Sequence, residues 1–374
     1  MTRWLLPVAA GLVKPDQAAE VISPPYDLLT PPERARYMRE HPRSFLNGTP
    51  SEEDDPNLHL EARRLHAARY LQRELENQTW SFPGRGLFVL RIESNGHVQT
   101  GVVGDVPADA FPGVIRPHEH TRPRRVTDLA NYLDTVGYGS SPVGLTYRRQ
   151  PEIDAMVSLV TATPPALDVS LPDGEHQQVW FVDNPEVEEG LVAAFSDVPT
   201  AYIIDGHHRV VATVQRNAVG QGGKFLAAIF PDDDLRVYPF HRWVDGPFTL
   251  DAVQPKPQSP RRGQVVAVTR DGEQLLDLEN RADEDDVSAL TRVVLGPRLG
   301  VGDDRSDPRL VFVPGYPDNK RLRQMVTKRG GVGFVLHPPS VATVMATSDR
   351  SGVMPPKATF FAPKPRSGVF LVKR

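Results

Sequence analysis

The chain has 374 residues, 39% of them hydrophobic and 24% charged, a composition typical of globular proteins with two domains or one large domain. The net charge of −4 argues against general binding to nucleic acid or anionic membranes, and the lack of cysteine excludes disulfides, thiolate catalysis and cysteine-ligated zinc. No apolar run is long enough to span a bilayer, and the apolar residues 4–13 show no clear cleavage signal, so we expect a cytoplasmic protein.

The pattern of the first 245 residues predicts alternating helices and strands. Thr30, Pro31 and Glu33 have the residue types of a capping box at a helix start. Asn95-Gly96 between two apolar-rich runs indicates a β-hairpin. In chain order we expect helix 31–40, helix 57–78, strands 87–93 and 97–106, strand 178–182, helix 185–195, strand 201–204, a helix after Gly206, and strands 225–230 and 236–244.

The composition changes over residues 246–263, which contain four prolines and show little periodicity. We therefore expect a proline-rich linker there, between a domain at 1–245 and a smaller α/β or α+β domain at 264–374. The elements expected in the second domain are a hairpin around Asp271-Gly272, helix 286–296, strand 310–313, helix 318–328, strand 333–336 and helix 340–347.

The most informative segment is Asp205-Gly206-His207-His208-Arg209, where the apolar run 201–204 ends and helical spacing begins. A strand that turns through a glycine into a helix presents backbone N–H groups without partners inside that helix. Those groups and the helix dipole attract anions, phosphate above all, and Arg209 adds a forked donor. The segment therefore predicts a phosphate site with Asp205 as an acid at its edge. Simple helix caps or surface histidines are the alternative.

A proline-rich loop carries His118-Glu119-His120-Thr121 and is followed by three arginines, the last of them Arg125. Histidine, carboxylate, hydroxyl and arginine side chains so close together suit general acid–base chemistry beside an anion. A metal site is also open, in which two loop histidines join one from the 205–209 segment, although the spacing is not that of a helical zinc-protease motif. A polar, solvated loop accounts for the spacing equally well.

Two further segments carry candidate ligand groups. The segment Ser23-Pro24-Pro25-Tyr26-Asp27 is a rigid turn ahead of the first helix, because the prolines restrict the backbone and so orient Tyr26 and Asp27. Residues 354–364 carry Lys357, Lys364 and paired phenylalanines, which suit a nucleotide or an anionic substrate. An ordinary proline turn and a core edge strand with solvated lysines are the alternatives.

Four ordered motifs together resemble one family: Pro24-Pro25-Tyr26-Asp27, His118-Glu119-x-Thr121, Asp205-Gly206-His207-His208-Arg209 and Met354-Pro-x-Lys357-x-Thr359-x-Phe361. They span nearly the whole chain, which resembles the uncharacterised prokaryotic family known for its Asp-Gly-His-His-Arg motif, domain of unknown function ten-fifteen. That family is similar to the ParB/sulfiredoxin superfamily, in which free-serine kinases carry Asp-Gly-His-Thr-Arg. The family's usual Tyr-Glu-Thr-Ala after the arginine is replaced here by Val210-Val211-Ala212-Thr213.

The resemblance implies an α+β fold, with a ParB/sulfiredoxin-like mixed-sheet core that carries insertions and a smaller C-terminal domain. It implies a nucleotide-dependent phosphotransferase for a small hydroxyl substrate, such as a serine-like amino acid, with ATP or ADP and Mg²⁺ as cofactors. The expected nucleotide and phosphate ligands are Gly206, His207, His208, Arg209, Thr121, Arg125, Tyr26 and Lys357. The expected catalytic residues are Asp205, which also holds the metal ion, Glu119, Asp27 and His118.

Two other functions fit the same residues. A nucleotide-binding regulatory switch would use the glycine turn to control the closure of a homodimer, as the ParB branch does. A metal-dependent hydrolase would instead use the histidines as ligands. The partners expected for the kinase are a nucleotide and a small-molecule substrate, with neither nucleic acid nor membrane involved.

Overall fold

A computed structural model describes residues 3–49, 59–221, 223–254, 259–281, 284–302 and 307–374. Helices and strands are mixed along the chain, which confirms the α+β class. The helices are α1 (Pro15–Val21), α2 (Pro31–Glu40), α3 (Leu60–Glu76), α4 (Pro123–Val136), α5 (Pro151–Thr161), α6 (Pro185–Ser196), α7 (His207–Ala218), α8 (Asp286–Leu290), α9 (Gly296–Leu299), α10 (Lys320–Arg329) and α11 (Val341–Asp349). The strands are β1 (Val8–Val13), β2 (Trp80–Ser81), β3 (Arg85–Gly86), β4 (Phe88–Ser94), β5 (His97–Pro107), β6 (Ile115–Arg116), β7 (Tyr138–Gly139), β8 (Val143–Tyr147), β9 (Leu167–Ser170), β10 (His176–Phe181), β11 (Ala201–Asp205), β12 (Lys224–Pro231), β13 (Val237–Tyr238), β14 (Phe240–Val244), β15 (Gln264–Val268), β16 (Glu273–Asp277), β17 (Leu310–Pro314), β18 (Val332–Leu336), β19 (Phe360–Phe361) and β20 (Phe370–Lys373).

The chain folds into two compact units. The first unit comprises Met1–Leu235 together with Pro363–Arg374, and the second comprises Arg236–Ala362. The chain therefore leaves the first unit after Leu235 and returns to it at Pro363, so that the second unit is an insertion in the first.

An eight-stranded mixed sheet forms the centre of the first unit, in the order β6-β11-β8-β12-β5-β4-β10-β9. Strand β11 is parallel to β6 and antiparallel to β8, and β8 is parallel to β12. Residues 225–230 of β12 are all at most 5% exposed, as expected for a central strand covered on both faces. This burial makes the sheet a rigid support for the loops at its edges.

A smaller sheet of the first unit brings the two ends of the chain together, because β20 pairs with β1 and β7. Just before β20, Gly368 has φ +99°, and a Cβ on it would lie 2.8 Å from the Val21 carbonyl oxygen. The Trp80 indole N–H donates to the Gly368 carbonyl at 2.9 Å. The returning segment is thus fixed against the N-terminal part of the chain before it enters β20.

The second unit contains a five-stranded antiparallel sheet in the order β16-β15-β18-β14-β17. Its core joins Val265 and Phe334 of the sheet to Leu290 of α8. Helix α8 continues through a π-helical stretch, Thr291–Leu295, into α9. A short ladder between β13 and β19 pairs the residues by which the chain enters and leaves this unit.

Several local predictions are confirmed. Helix α2 has its capping box, in which the Thr30 N–H donates to Glu33 Oε2 at 2.7 Å. Asn95 and Gly96 have φ of 51° and 69°, as a two-residue hairpin turn requires.

The strand expected over 236–244 is instead two strands, since Pro239 between them has no N–H for a ladder. The predicted first residue of helix 57–78 lies outside the described residues, and α3 is described from Leu60.

Sequence patterning missed helices α1, α4 and α5, strands β1, β8, β9 and β20, and the two-residue strands β2, β3, β6 and β7. Within the described ranges, no helix is both long and apolar enough to cross a membrane.

The two units have different bounds from the domains expected at 1–245 and 264–374. The linker was expected at 246–263. Its described residues belong to the second unit, because strand β14, which precedes them, pairs with β17 and β18 of that unit. The residues from Pro363 onward belong to the first unit because β20 pairs with β1. Composition identifies an irregular, proline-rich segment but carries no information about strand partners.

Replacement Gly368→Ala is expected to lower the free energy of unfolding by about 3 kcal/mol, because alanine is strained at positive φ and its Cβ would press on the Val21 carbonyl. Gly174→Ala is the matched control. Gly174 has φ +85° but nothing within 4 Å of an added Cβ, so only the backbone strain of about 1–2 kcal/mol applies there. Urea unfolding measures both values, and equal losses would contradict the close packing at Gly368.

Candidate functional site

The 117–122 loop and the Asp205-Gly206 turn begin at the same edge of the eight-stranded sheet. Strands β6 and β11 are parallel neighbours, with Ile115 opposite Ala201 and Arg116 opposite Tyr202. The carboxyl ends of parallel neighbours lie at one edge of a sheet, so the segment that follows each strand starts there. This register brings two motifs together that are far apart in the sequence.

Gly206 makes the turn from β11 into α7. It has φ 95° and ψ 26°, the left-handed region that favours glycine. A Cβ at this position would lie 2.7–2.9 Å from three atoms of the Arg209 guanidinium group. The turn therefore requires glycine both for its backbone and for the Arg209 side chain that folds back against it. Helix α7 begins directly at the strand end, and its first N–H groups have no partner within the helix.

Helices α4 and α7 run parallel, with their first turns in contact. At these turns the Arg122 N–H donates to His208 Nε2 at 3.0 Å, and near the other ends Arg216 Nε donates to Asp134 Oδ1 at 2.8 Å. Apolar residues fill the contact between them: Val126, Ala130 and Ala212. The positive ends of two helix dipoles therefore lie side by side. These two ends repel each other, and an anion between them would reduce the repulsion.

His207 and His208 hold the 117–122 loop with their ring nitrogens. His207 Nε2 accepts the His118 N–H at 3.3 Å, just as His208 Nε2 accepts the Arg122 N–H. A backbone N–H can only donate, so each Nε2 carries a lone pair, and the proton of each neutral ring is on Nδ1. The His207 Nδ1 lies 3.9 Å from Glu119 Oε2. As long as the 117–122 loop keeps these hydrogen bonds, the Nε2 atoms of His207 and His208 are not available to a phosphate. The phosphate contacts expected of the two residues would have to come from other atoms, such as their backbone N–H groups.

His118 supports this arrangement from inside the fold. Its ring is 2% exposed and meets the His207 ring edge-on, with the centroids 4.6 Å apart. Burial lowers the pKa of His118 to about 4, although a hydrogen bond to the Ile203 backbone opposes the shift. Burial, and then the neighbouring His118, also hold the pKa of His207 well below its ordinary value. Both rings are neutral near pH 7, and burial gives His118 a supporting position rather than the substrate contact expected of a catalytic residue.

The Asp205 carboxylate lies between two cations. Its Oδ1 accepts from Lys364 Nζ at 2.7 Å, and its Oδ2 accepts from Arg209 Nη2 at 2.5 Å. Burial disfavours the charged form, but Lys364 and then Arg209 hold the pKa of Asp205 below its ordinary value. Arg209 Nη1 also donates to the carbonyl oxygens of Ser141 and Pro142, both at 2.7 Å. Arg209 therefore ties the turn to the 140–142 segment, which leaves only part of its fork for a phosphate.

Lys364 joins Asp205 to Asp27. Its Nζ donates to Asp27 Oδ2 at 2.6 Å. The side chains of Lys364, Asp27 and Asp205 are 14%, 22% and 31% exposed, so the cluster is partly open to solvent. Burial disfavours the ammonium, but Asp205 and Asp27 hold the pKa of Lys364 above its ordinary value. The cluster is thus an ionised lysine shared by two carboxylates.

Tyr26 lies in a short 3-10 turn, Tyr26–Leu28, next to two arginines. The guanidinium carbon of Arg34 lies 3.9 Å from the ring centroid of Tyr26 and that of Arg125 lies 5.9 Å from it. Arg34 is buried and donates to the Leu29 carbonyl at 2.8 Å, which fixes the turn. Because Arg125 belongs to the first turn of α4, this contact brings the Tyr26-Asp27 turn to the paired helix starts.

All of the expected phosphate ligands stay predictions, and two of them lie apart from the contacts described above. Lys357 belongs to the second unit, where its Nζ lies 4.8 Å from the Phe240 ring centroid. Thr121 lies in the docked loop and is partly exposed.

The structure gives Lys364 other partners than expected and adds a helix to the site. The lysines of segment 354–364 suit a nucleotide or an anionic substrate, but Lys364 binds the carboxylates of Asp27 and Asp205. Helix α4 was missed although it has a local signal, namely Pro123, apolar residues spaced by three and four, and Gly137 at its end.

A metal centre finds little support in the geometry. Among the side chains the structure describes, no group of three or more His, Cys, Asp or Glu is arranged to hold an ion. Asp205, the expected Mg²⁺ ligand, has Lys364 on one carboxylate oxygen and Arg209 on the other. Direct metal binding there would require one of these cations to leave.

The sequence profile of one family, described as "Protein of unknown function (DUF1015)", matches residues 5–289. This range contains the first three sequence motifs but not the segment 354–361 or Lys364. No protein of curated function matches the chain.

Three solved structures are similar in fold. A free serine kinase variant in complex with ADP is 14% identical, with a TM-score of 0.39 over 70% of this chain and 87% of its own. A free serine kinase in complex with AMP is 14% identical, with a TM-score of 0.38 over the same shares, 70% and 87%. A conserved hypothetical protein from Pyrococcus furiosus is 14% identical, with a TM-score of 0.40 over 72% of this chain and 93% of its own.

The buried histidines predict that acid destabilises the protein. Because the folded His118 binds a proton only near pH 4 and an unfolded histidine binds one near pH 6.5, its contribution to stability is complete above 6.5 and falls with pH below it. The loss attributable to His118 between pH 7.5 and 5.0 is about 2 kcal/mol. Urea unfolding of the native chain and of His118→Gln at both pH values measures this contribution, and an identical pH dependence of the two proteins would contradict it.

Proposed function

The chain belongs to the DUF1015 family of proteins of unknown function, and we propose that it is a nucleotide-dependent phosphotransferase for a small hydroxyl compound. The phosphates of ATP or ADP bind at the paired first turns of α4 and α7, and the hydroxyl acceptor binds beside Asp27. The observation that carries this proposal is the meeting of two helix starts next to two carboxylates, Asp27 and Asp205, that share the Lys364 ammonium. The choice of a serine-like acceptor rests only on the motif resemblance.

The helix pair supplies the positive potential that a polyphosphate requires. Each helix start acts as about half a positive charge, with N–H groups suited to phosphate oxygens. Three exposed arginines of the α4 start add to it: Arg122, Arg124 and Arg125. His118 and His207 are neutral near pH 7, so these two rings add no imidazolium charge to that of the backbone and the arginines.

The general base in this proposal is Asp27. Its carboxylate is partly exposed and accepts a hydrogen bond from Lys364 at 2.6 Å. The turn that carries it is fixed by the hydrogen bond from Arg34 to the Leu29 carbonyl. Glu119 is the alternative base, since its side chain is 36% exposed and faces His207 Nδ1 at 3.9 Å. A carboxylate at hydrogen-bond distance from the acceptor hydroxyl accepts the proton as the oxygen attacks phosphorus.

The reaction is mainly a matter of position and charge. Phosphoryl transfer needs the acceptor oxygen and the leaving oxygen in line, with positive groups around the transferred phosphoryl group. Mg²⁺ bound to the nucleotide would supply part of that charge, but the protein has no free carboxylate oxygen for it at Asp205. Asp205 instead keeps Lys364 and Arg209 in place, so its role in the proposed reaction is to position these two cations.

Nucleotide binding is the first test of this function. Thermal unfolding with ATP, ADP, AMP and inorganic phosphate, each with and without Mg²⁺, should show stabilisation by a nucleoside polyphosphate. A ligand present at about 100 times its Kd stabilises the folded state by about 2.7 kcal/mol through mass action. If none of these compounds raises the melting temperature, the proposal is wrong.

The role of Asp27 is tested by Asp27→Asn. Loss of a general base lowers turnover by about 100- to 10,000-fold, while the binding of nucleotide phosphates at the helix starts should persist. Asp128→Asn is the matched control, because Asp128 is also on the first unit but faces Arg64, with 3.8 Å between their side-chain atoms. Transfer of phosphate from labelled nucleotide to serine and related hydroxyl compounds provides the assay. Full turnover in Asp27→Asn together with loss in Glu119→Gln would assign the base to Glu119.

A further inference from the structure

Lys364 lies in the candidate site although it belongs to none of the sequence motifs and lies beyond the matched range 5–289. Its ammonium bridges Asp27 and Asp205, with N–O distances of 2.6 and 2.7 Å. A surface lysine does not need two carboxylates within hydrogen-bond distance, and such a position restricts a side chain that otherwise moves freely. Lys364 is therefore held in one position between the two carboxylates.

Residues 366–368, which follow Lys364 closely, are anchored to other parts of the first unit. Arg366, 6% exposed, binds Asp173 at 2.5 Å and Glu175 at 2.7 Å. The Ser367 carbonyl accepts the Ser23 N–H at 3.0 Å. The Ser367 hydroxyl bonds to that of Ser141, and the Gly368 N–H donates to Ser140 Oγ at 2.7 Å. The 140–142 segment thus holds both Arg209 and the segment that carries Lys364, so the two cations on Asp205 share one support.

We propose that Lys364 is a catalytic residue, whose ammonium leaves Asp27 and binds the phosphoryl group during transfer. The proposal rests on the phosphotransferase function given above. Asp205 and Arg209 remain fixed, so Asp205 keeps the lysine ionised and in place while its second partner changes. The exchange is favourable because the phosphoryl group in transfer and the leaving oxygen beside it together carry more negative charge than the single carboxylate of Asp27.

The exchange also explains how a carboxylate that is ion-paired in the free protein becomes a base. Once Lys364 contacts the phosphoryl oxygens, Asp27 can accept the proton of the acceptor hydroxyl. The acceptor oxygen forms a bond to the terminal phosphorus, and the bond from that phosphorus to the bridging oxygen breaks. The leaving nucleotide, shortened by one phosphoryl group, takes the electron pair, and the proton stays on Asp27 until it passes to water.

Lys364→Met tests this role against Lys373→Met, a matched control on the same C-terminal segment whose side chain is exposed in β20. We expect turnover to fall by at least about 100-fold in Lys364→Met, with a much smaller change in nucleotide affinity, since the contact forms fully only in the transition state. Turnover in Lys364→Met within a few-fold of the control would overturn the proposal.

A second measurement uses the native chain and does not depend on the folding of a variant. Acetic anhydride labels lysine amines, and mass spectrometry compares Lys364 with Lys373 in the same sample. ADP or ATP should slow the labelling of Lys364 and leave that of Lys373 unchanged. Equal labelling with and without a nucleotide that does bind would overturn the role of Lys364 and leave the proposed function standing. If neither nucleotide binds or is turned over, the phosphotransferase function fails, and the role of Lys364 fails with it.

Discussion

The Asp205 carboxylate determines how the candidate site is assembled, because it binds two cations from different parts of the chain. Arg209 reaches it across the glycine turn at 2.5 Å, and Lys364 reaches it from the C-terminal segment at 2.7 Å. The carboxylate is only partly exposed, so the loss of either cation would leave one of its oxygens without its ion-pair partner. The return of the chain to the first unit at Pro363 and the turn at Gly206 are therefore parts of one electrostatic arrangement.

The histidines of the Asp-Gly-His-His-Arg turn, His207 and His208, have a different role from the one that their position suggests. Next to an anion site they would ordinarily be taken for phosphate contacts or metal ligands. Instead their Nε2 atoms accept backbone N–H groups of the 117–122 loop, at 3.3 Å for His207 and 3.0 Å for His208. They fix the loop that leads into α4, and thereby place a second helix start beside the first. The proposed anion site therefore depends on two helices and not on one motif.

Much of the local structure could be predicted from the sequence. The capping box at Thr30, the hairpin at Asn95-Gly96 and the strand–glycine–helix turn at Gly206 each depend on residues within a few positions of one another. The motifs also identified Asp27, Glu119 and the 205–209 segment as candidates, and the structure brings them to one region of the first unit. The position of Lys364 could not be predicted, since its partner Asp27 is 337 positions away and nothing near Lys364 in the sequence indicates that contact.

The sequence by itself determined the α+β class, the helix starts and turns, and the need for glycine at position 206, because capping, turn geometry and left-handed backbone are short-range effects. Only the tertiary structure decided which lysine meets Asp205, that α4 and α7 run parallel with their starts in contact, and that the C-terminal segment belongs to the first unit. These features depend on strand pairing and on ion pairs between distant residues. Such contacts are selected by the fold as a whole, through which strand lies beside which and which charges are buried together, and no local pattern encodes them.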